Sequence, residues 1–388
     1  MTCMAFWKLC WATGCTSFGT GVFTTAVPLL AVSLSPDPRH VALVSAAAYL
    51  PWLLLSLPVG ALLDRGDRLR LMWCAQAVQA AVVTSLGVLT ASGHLTLPVL
   101  ALAAFALGSG DVVVGNGTQA VVPDFVAPHR LHRANSTQQA VTTIGQQFAG
   151  PPLGSALFAV AAVLPFGVHA AALGASAALL ASSSRTTRPI PARVAMTDGL
   201  RWLARHRLLR TLALLLGANT FAGQLANSTL VLLATQALHL DATGYGLLLT
   251  AAALGSVLAA TTTPRLLRRF GPTPVLATAL ALNAATFAGI AVSPNATVLA
   301  ALLAGTGFLT TTWTVVTVSL RQQLVPAALL GRVTSSYKAL GWGLMPLGAL
   351  AGGLVAHELG LRAPYLIAAA VRLAALLLAL PVVRRQDT

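Results

Sequence analysis

Apolar stretches of about twenty residues, long enough to carry an α-helix across the hydrocarbon core of a bilayer, recur along this entire chain. Of its 388 residues 56% are hydrophobic and only 9% are charged, against roughly 25% charged in a soluble domain. Such a chain has few folds open to it. Inside lipid every backbone N–H and C=O needs a partner within the protein, so a spanning segment is a helix or a strand of a closed barrel. The period-two alternation of a barrel strand is absent. The pattern predicts an all-α polytopic membrane protein.

Twelve spans are expected, near residues 6–33, 40–63, 71–92, 97–122, 136–163 and 165–184, then 210–237, 243–262, 273–293, 297–321, 334–356 and 364–383. With that count both termini and the even-numbered loops share one side. All but three of the 24 lysines and arginines then fall there; Arg39 and Arg362 lie opposite, and Arg372 lies inside span twelve. The positive-inside rule makes the basic side cytoplasmic. The expected location is the inner (cytoplasmic) membrane, multi-pass, with both termini in the cytoplasm. The preponderance of Arg over Lys, beside abundant Ala and Leu, points to a GC-rich bacterial genome.

The net charge of +15 is accounted for by these connections. No basic stripe with interleaved aromatics appears, which argues against nucleic acid. The four cysteines, Cys3, Cys10, Cys15 and Cys74, lack a Cys-x-x-Cys pairing and are expected to be reduced, with no metal site. No His/Glu metal spacing and no nucleotide-cradling glycine loop occurs, so neither an enzyme nor an integral ATP-driven pump is expected, and no cofactor.

The longest connection, 185–209, divides the chain into an N-terminal six-helix bundle (1–184) and a C-terminal one (210–388). Its last part, from Asp198 to Arg210, sets Trp202, Leu203 and Leu209 against basic neighbours, and reads as an amphipathic helix lying on anionic lipid headgroups. The halves echo each other. Val122-Pro123 followed by Arg133-Ala-Asn-Ser136 recurs as Val325-Pro326 followed by Arg332-Val-Thr-Ser335. Each leads into a glycine-rich helix, Gly150-Pro-Pro-Leu-Gly154 and Gly348-Ala-Leu-Ala-Gly352. Two copies of a six-helix unit around a pathway is a secondary-transporter design.

Between spans two and three lies Gly60-Ala-Leu-Leu-Asp64-Arg65-Gly66-Asp67-Arg68-Leu-Arg70. Gly60 is expected to let two helices approach closely. Asp64, at a helix C-terminus where the dipole disfavours an anion, is expected to face Arg65, Arg68 or another helix N-terminus. This segment, over essentially the whole chain, resembles the major facilitator superfamily, with Leu69 where a second basic residue is common. The resemblance implies a cytoplasmic gate built from Gly60, Asp64, Arg65 and Arg68, the acid facing the start of helix eleven near Thr334 and Ser335. Gly145 and Gly150-Pro151-Pro152-Leu153-Gly154-Ser155 resemble the helix-five element of that superfamily's antiporters, with Ser155 replacing its last glycine. There Gly150, Pro151 and Gly154 would bend and pack the helix to seal the outward end. Ser17 to Ala31, Leu50-Pro-Trp52, Leu324-Val-Pro326 and Gly331-Arg-Val333 are similar to bacterial exporters of the enterobactin-exporter-like and macrolide-efflux-like kind. Thr20 stands where many of those relatives carry an acid, and helix four lacks the arginine of many drug:proton antiporters.

Nine acids occur, and Asp111 alone falls deep in a span. A charge there is costly and by default functional, so Asp111 is the candidate for proton coupling or cation recognition. Packing through hydrogen bonds to neighbouring helices is the competing role. Gly108, Gly115 and Thr118 share its helical face, and the glycines are expected to leave space around it. The resemblance implies that helices one, four, seven and ten line the pathway. Their polar residues Thr20, Thr24, Thr118, Asn219, Gln224, Asn227, Thr310, Trp313 and Thr314, with Gln146 and Gln147 of helix five, are the candidate substrate contacts. Isolated threonines bond as readily to their own helix backbone. The expected function is proton-coupled efflux of small amphipathic molecules such as a drug, siderophore or secondary metabolite by a monomer. Its partners are a small-molecule substrate, protons and membrane lipids. An importer on the same fold, or a non-transporting membrane receptor, is the alternative.

Overall fold

The computed structural model describes residues 2–126, 131–183, 197–325 and 327–384. Among them every regular element is helical. In chain order these are α1 (Thr2–Leu34), α2 (Pro38–Leu54), α3 (Ser56–Arg65), α4 (Arg68–Ala91), α5 (Leu97–Phe125), α6 (Leu131–Thr143), α7 (Gly150–Val160), α8 (Leu164–Ala181) and α9 (Thr197–Arg205). Then follow α10 (Arg207–Asn227), α11 (Leu230–Leu232), α12 (Ala242–Phe270), α13 (Pro272–Ala291), α14 (Ala296–Leu324), α15 (Ala327–Gly343), α16 (Met345–Leu359) and α17 (Ala363–Arg384).

Nine helices among the described residues are long and apolar enough to cross a bilayer. The other three expected spans are present as interrupted helices, each with a local cause. Span two breaks at Leu55 between α2 and α3, where Pro58 has no N–H to return to Leu54. Span five widens into a π-helical segment, Ile144–Ala149, ahead of Pro151 and Pro152, and Gly150 donates five residues back to the Gly145 carbonyl. Span seven turns after Asn227, where the Ser228 and Thr229 hydroxyls bond to the Leu225 and Ala226 carbonyls at 3.4 and 3.1 Å. It resumes as α11 and a second π segment, Leu233–Ala237.

Two compact units are formed, Met1–Pro36 with Ala47–Ala192 and Asp241–Gly246, and Asp37–Ala46 with Arg193–Leu240 and Leu247–Thr388. The first has a core of Leu9, Leu69, Met72, Val121, Val122 and Leu180. The second has one of Leu209, Leu212, Leu276, Trp313, Val316 and Tyr337. Large apolar side chains also point outward, Leu378 at 81% exposure among them, as a lipid-facing surface requires.

Lipid is as apolar as leucine, so helices associate through close packing rather than hydrophobic burial. The glycine-rich helices supply it in both units by the same spacing. A Cβ on Gly150 or Gly154 would strike the backbone of α1 at Gly21 and Val22, and one on Gly348 or Gly352 the carbonyls of Phe221 and Leu225 in α10. The fifth helix of each half thus lies backbone to backbone on the first.

Two expectations fail. A Cβ on Gly60 would meet nothing within 4 Å, so that glycine serves no close approach. The amphipathic segment α9 does not keep its apolar side for headgroups. Leu203 is 1% exposed within the second unit's core, Trp202 packs against that core, and Arg201 and Arg205 face outward. The core offers Leu203 fuller burial than a lipid interface does. The first part of the linker, 184–196, lies outside the described residues. Cys10, Cys15 and Cys74 are free thiols.

Candidate functional site

The charged turn between α3 and α4 is held by its own capping chemistry. Asp67 is the N-cap of α4 and accepts from the Arg70 N–H at 3.2 Å. Arg68 is buried, donates to the carbonyls of Leu63 (3.2 Å) and Ala120 (3.1 Å), and pairs with Asp124 at 3.5 Å. Arg68 therefore ties the turn to the end of α5, while Arg65 is exposed. The expectation for Asp64, and the place of Ser335 opposite it, concern side chains outside the described residues.

Asp111 lies midway along α5 and remains partly accessible. Its Oδ1 accepts from Gln79 Nε2 of α4 at 2.8 Å, and the same amide donates to the Leu107 carbonyl at 2.8 Å. Gln79 is buried, and its own oxygen has no partner. Gly110 makes this pairing possible, because a Cβ there would overlap the Gln79 side chain. Space around Asp111 does not come from Gly108 and Gly115 as expected. Gly108 abuts the Ala48 carbonyl and Pro51, and Gly115 abuts Trp52, so α2 fills that face.

One helical turn before Gln79, Gln76 is buried as well. Its Nε2 donates to Thr16 Oγ1 at 2.8 Å, and Thr16 is bonded to Ser176 Oγ at 2.9 Å. This network joins α1, α4 and α8 inside the unit. Gln76 and Gln79 were missed because span three is not among the helices expected to line a pathway. The signal was present: two glutamines three residues apart in an otherwise apolar span are too costly to leave unpaired.

The remaining candidates divide by accessibility. Gln146 and Gln147 are exposed within the π segment, Thr24 and Asn227 are exposed on α1 and α10, and Thr20, Thr118 and Gln224 are partly accessible. Thr24 Oγ1 bonds back to the Gly21 carbonyl at 2.9 Å, and Thr314 Oγ1 to that of Thr310 at 2.9 Å. Trp313 is 6% exposed and belongs to the second unit's core, not to a polar wall.

Asn219 and Thr310 converge on a residue that had no assigned partner. Arg372, in the middle of α17, is 7% exposed. One terminal nitrogen donates to Asn283 Oδ1 of α13 and the other to the Asn219 carbonyl at 3.2 Å. Asn283 Nδ2 in turn faces Thr310 Oγ1 of α14 at 3.4 Å. The guanidinium lies 4.0 Å from the centre of the Phe287 ring.

Solved transporter structures share this fold. A bacterial homologue of the iron transporter ferroportin superposes with a TM-score of 0.76 at 19% identity, covering 98% of both chains. A bacterial homologue of the lysosomal transporter Spinster gives 0.75 at 13% identity, over 99% of this chain and 97% of the other. Among sequences, an uncharacterised MFS-type transporter of Mycobacterium tuberculosis is 28% identical over 309 residues, 69% of this chain and 66% of that protein. The multidrug efflux pump Tap of the same organism is 27% identical over 215 residues, 51% of this chain and 50% of the pump. The matched part thus spans about two thirds of the first relative and half of the second. The family model described as a transmembrane secretion effector matches residues 2–387, and the chain belongs to that family of major facilitator superfamily transporters.

Proposed function

We propose that the protein is a proton-coupled exporter of small amphipathic molecules, working by alternating access from the inner membrane with both termini cytoplasmic. The observation that carries the reading is Asp111. Among the described residues it is the only acid placed well away from the ends of a span, it remains partly accessible, and its hydrogen bond comes from the neutral Gln79 rather than a cation. A carboxyl without a fixed counter-charge exchanges a proton at the least electrostatic cost, and that exchange can bias two states of a transporter. Similarity to a multidrug efflux pump supports export over import. Asn219, Gln224, Asn227, Gln146 and Gln147 are the proposed substrate contacts, Gly150, Pro151 and Gly154 the packing element, and Arg68 the anchor of the gating turn.

The test uses everted membrane vesicles with a lipophilic cationic dye added to the outside medium. An exporter accumulates the dye when the lumen is acidified, and Asp111→Asn is expected to abolish the pH dependence while the protein remains folded in the membrane. Flux with undiminished pH dependence in Asp111→Asn would falsify the coupling role. Accumulation driven only by the opposite gradient would favour an importer.

A further inference from the structure

Arg372 poses a charge problem that its neighbours do not solve. An arginine keeps its charge in a protein interior, and one in mid-membrane is stable only with partners that compensate it. The partners of Arg372 are an amide oxygen, a backbone carbonyl and a phenyl face, all neutral. Among the described residues no carboxylate pairs with it. Its Nε is buried and has no hydrogen-bond partner. Nε and the adjacent terminal nitrogen form the side-on edge by which arginine grips a carboxylate or other oxyanion with two parallel bonds. Half of that edge is therefore unused.

The surroundings admit the charge and connect it to accessible polar groups. Gly223 of α10 lies against the guanidinium: a Cβ there would stand 3.2 Å from Nη2, closer than side chains ordinarily approach, so the glycine is what admits the charge at this depth. Asn219 is partly accessible and its Oδ1 has no partner. The Asn283–Thr310 contact leads from the buried guanidinium to an exposed hydroxyl. Arginine, two asparagines and a threonine from four helices make a polar cluster whose net charge is positive. A pure packing role would not require the charge.

We propose that Arg372, with Asn219, Asn283 and Thr310, forms an anion-binding subsite in the second compact unit that takes the carboxylate, or a comparable small anion, of a ligand. The subsite adds a charge class to the transport reading and rests on it for any role in transport. Anion binding by the purified protein can be measured whatever the direction or coupling of transport.

Purified protein in lipid nanodiscs would be titrated with sodium benzoate or sodium chloride at constant ionic strength, or with neutral benzamide, following the thermal melting midpoint. A ligand that binds only the folded state raises that midpoint with concentration. Benzoate is expected to raise it, and neutral benzamide, which keeps the ring but lacks the charge, to leave it unchanged. A chloride response equal to that of benzoate assigns the site to inorganic anions, and a benzoate response alone assigns it to organic carboxylates. Arg372→Met is expected to lower the apparent benzoate affinity by about tenfold or more, as loss of a charge-assisted pair implies, and Arg372→Lys to retain part of it. Asn219→Ala, which keeps the backbone carbonyl that Arg372 uses, supplies a weakened site should Arg372→Met not fold. No anion response in the wild-type protein, or a full response in Arg372→Met and Asn219→Ala, would overturn the proposal.

Discussion

Gln79 is the residue that turns Asp111 from an isolated charge into a site. Gln79→Leu removes the donor to both the carboxyl and the Leu107 carbonyl. A hydrogen bond to a charged group is worth about 1.5–3 kcal/mol, so a fall in stability of that order is expected, together with an altered pH profile of transport. Unchanged melting and an unchanged profile would remove Gln79 from the site. A second acid gives a pH prediction of known sign. In the loop before α2, the hydrogen bond from the Arg39 guanidinium at 2.8 Å holds the Asp37 carboxyl well below its ordinary value, at about 2. A depressed carboxylate stabilises the fold above its unfolded value of about 3.9, and that contribution fades as the pH drops through about 2. Because His357 Nδ1 lies 3.5 Å from the same carboxyl, the comparison is made in a His357→Gln background, where the melting difference between Asp37 and Asp37→Asn is expected to be constant from pH 8 to 5 and to shrink only below about pH 4. A difference that closes above pH 5 would contradict this. Asp111 was legible in the sequence as the one acid deep in a span. Its partner was not, because pairing across helices depends on Gly110 clearing room for Gln79, which one-dimensional spacing does not reveal.

Helices in this chain are defined as much by their glycines and prolines as by their apolar runs. The sequence marked both Gly60 and Gly150, yet only the second lies against another backbone. Gly150→Ala drives a methyl into α1, and overpacking costs about 1–3 kcal/mol, so a lower melting midpoint is expected. Gly60→Ala enters open space within a helix, where alanine gains about 1 kcal/mol over glycine, and its midpoint should hold or rise. Identical losses for the two would contradict the packing described here. The helix-five motif was readable because the same i, i+4 glycine pair occurs in α16. The π segments were not: the first follows from how the chain accommodates the missing donors of Pro151 and Pro152, and nothing in the composition of Leu233–Ala237 marks the second. Trp313 misled for a related reason, as a polar stretch of α14 turns its one large aromatic inward to the core.

The whole molecule is organised by charge as well as by hydropathy. Four of the expected spans are interrupted, span eleven among them at Leu344 between α15 and α16, so unbroken helices alone undercount the crossings, whereas the arginine distribution calls for an even number. Reporter fusions at both termini are expected to read cytoplasmic, and one placed beside Arg39 external. Termini on opposite sides would refute the twelve-span topology. The transporter fold was legible from the repeated halves and the basic loops. The division into compact units was not, because packing is not confined to sequence neighbours. Asp37–Ala46 belongs with the second unit and Asp241–Gly246 with the first. Each half of the gene therefore encodes a piece that completes the other's product. A polypeptide severed in the connection at 185–209 would leave each fragment without the short segment that its compact unit takes from the other.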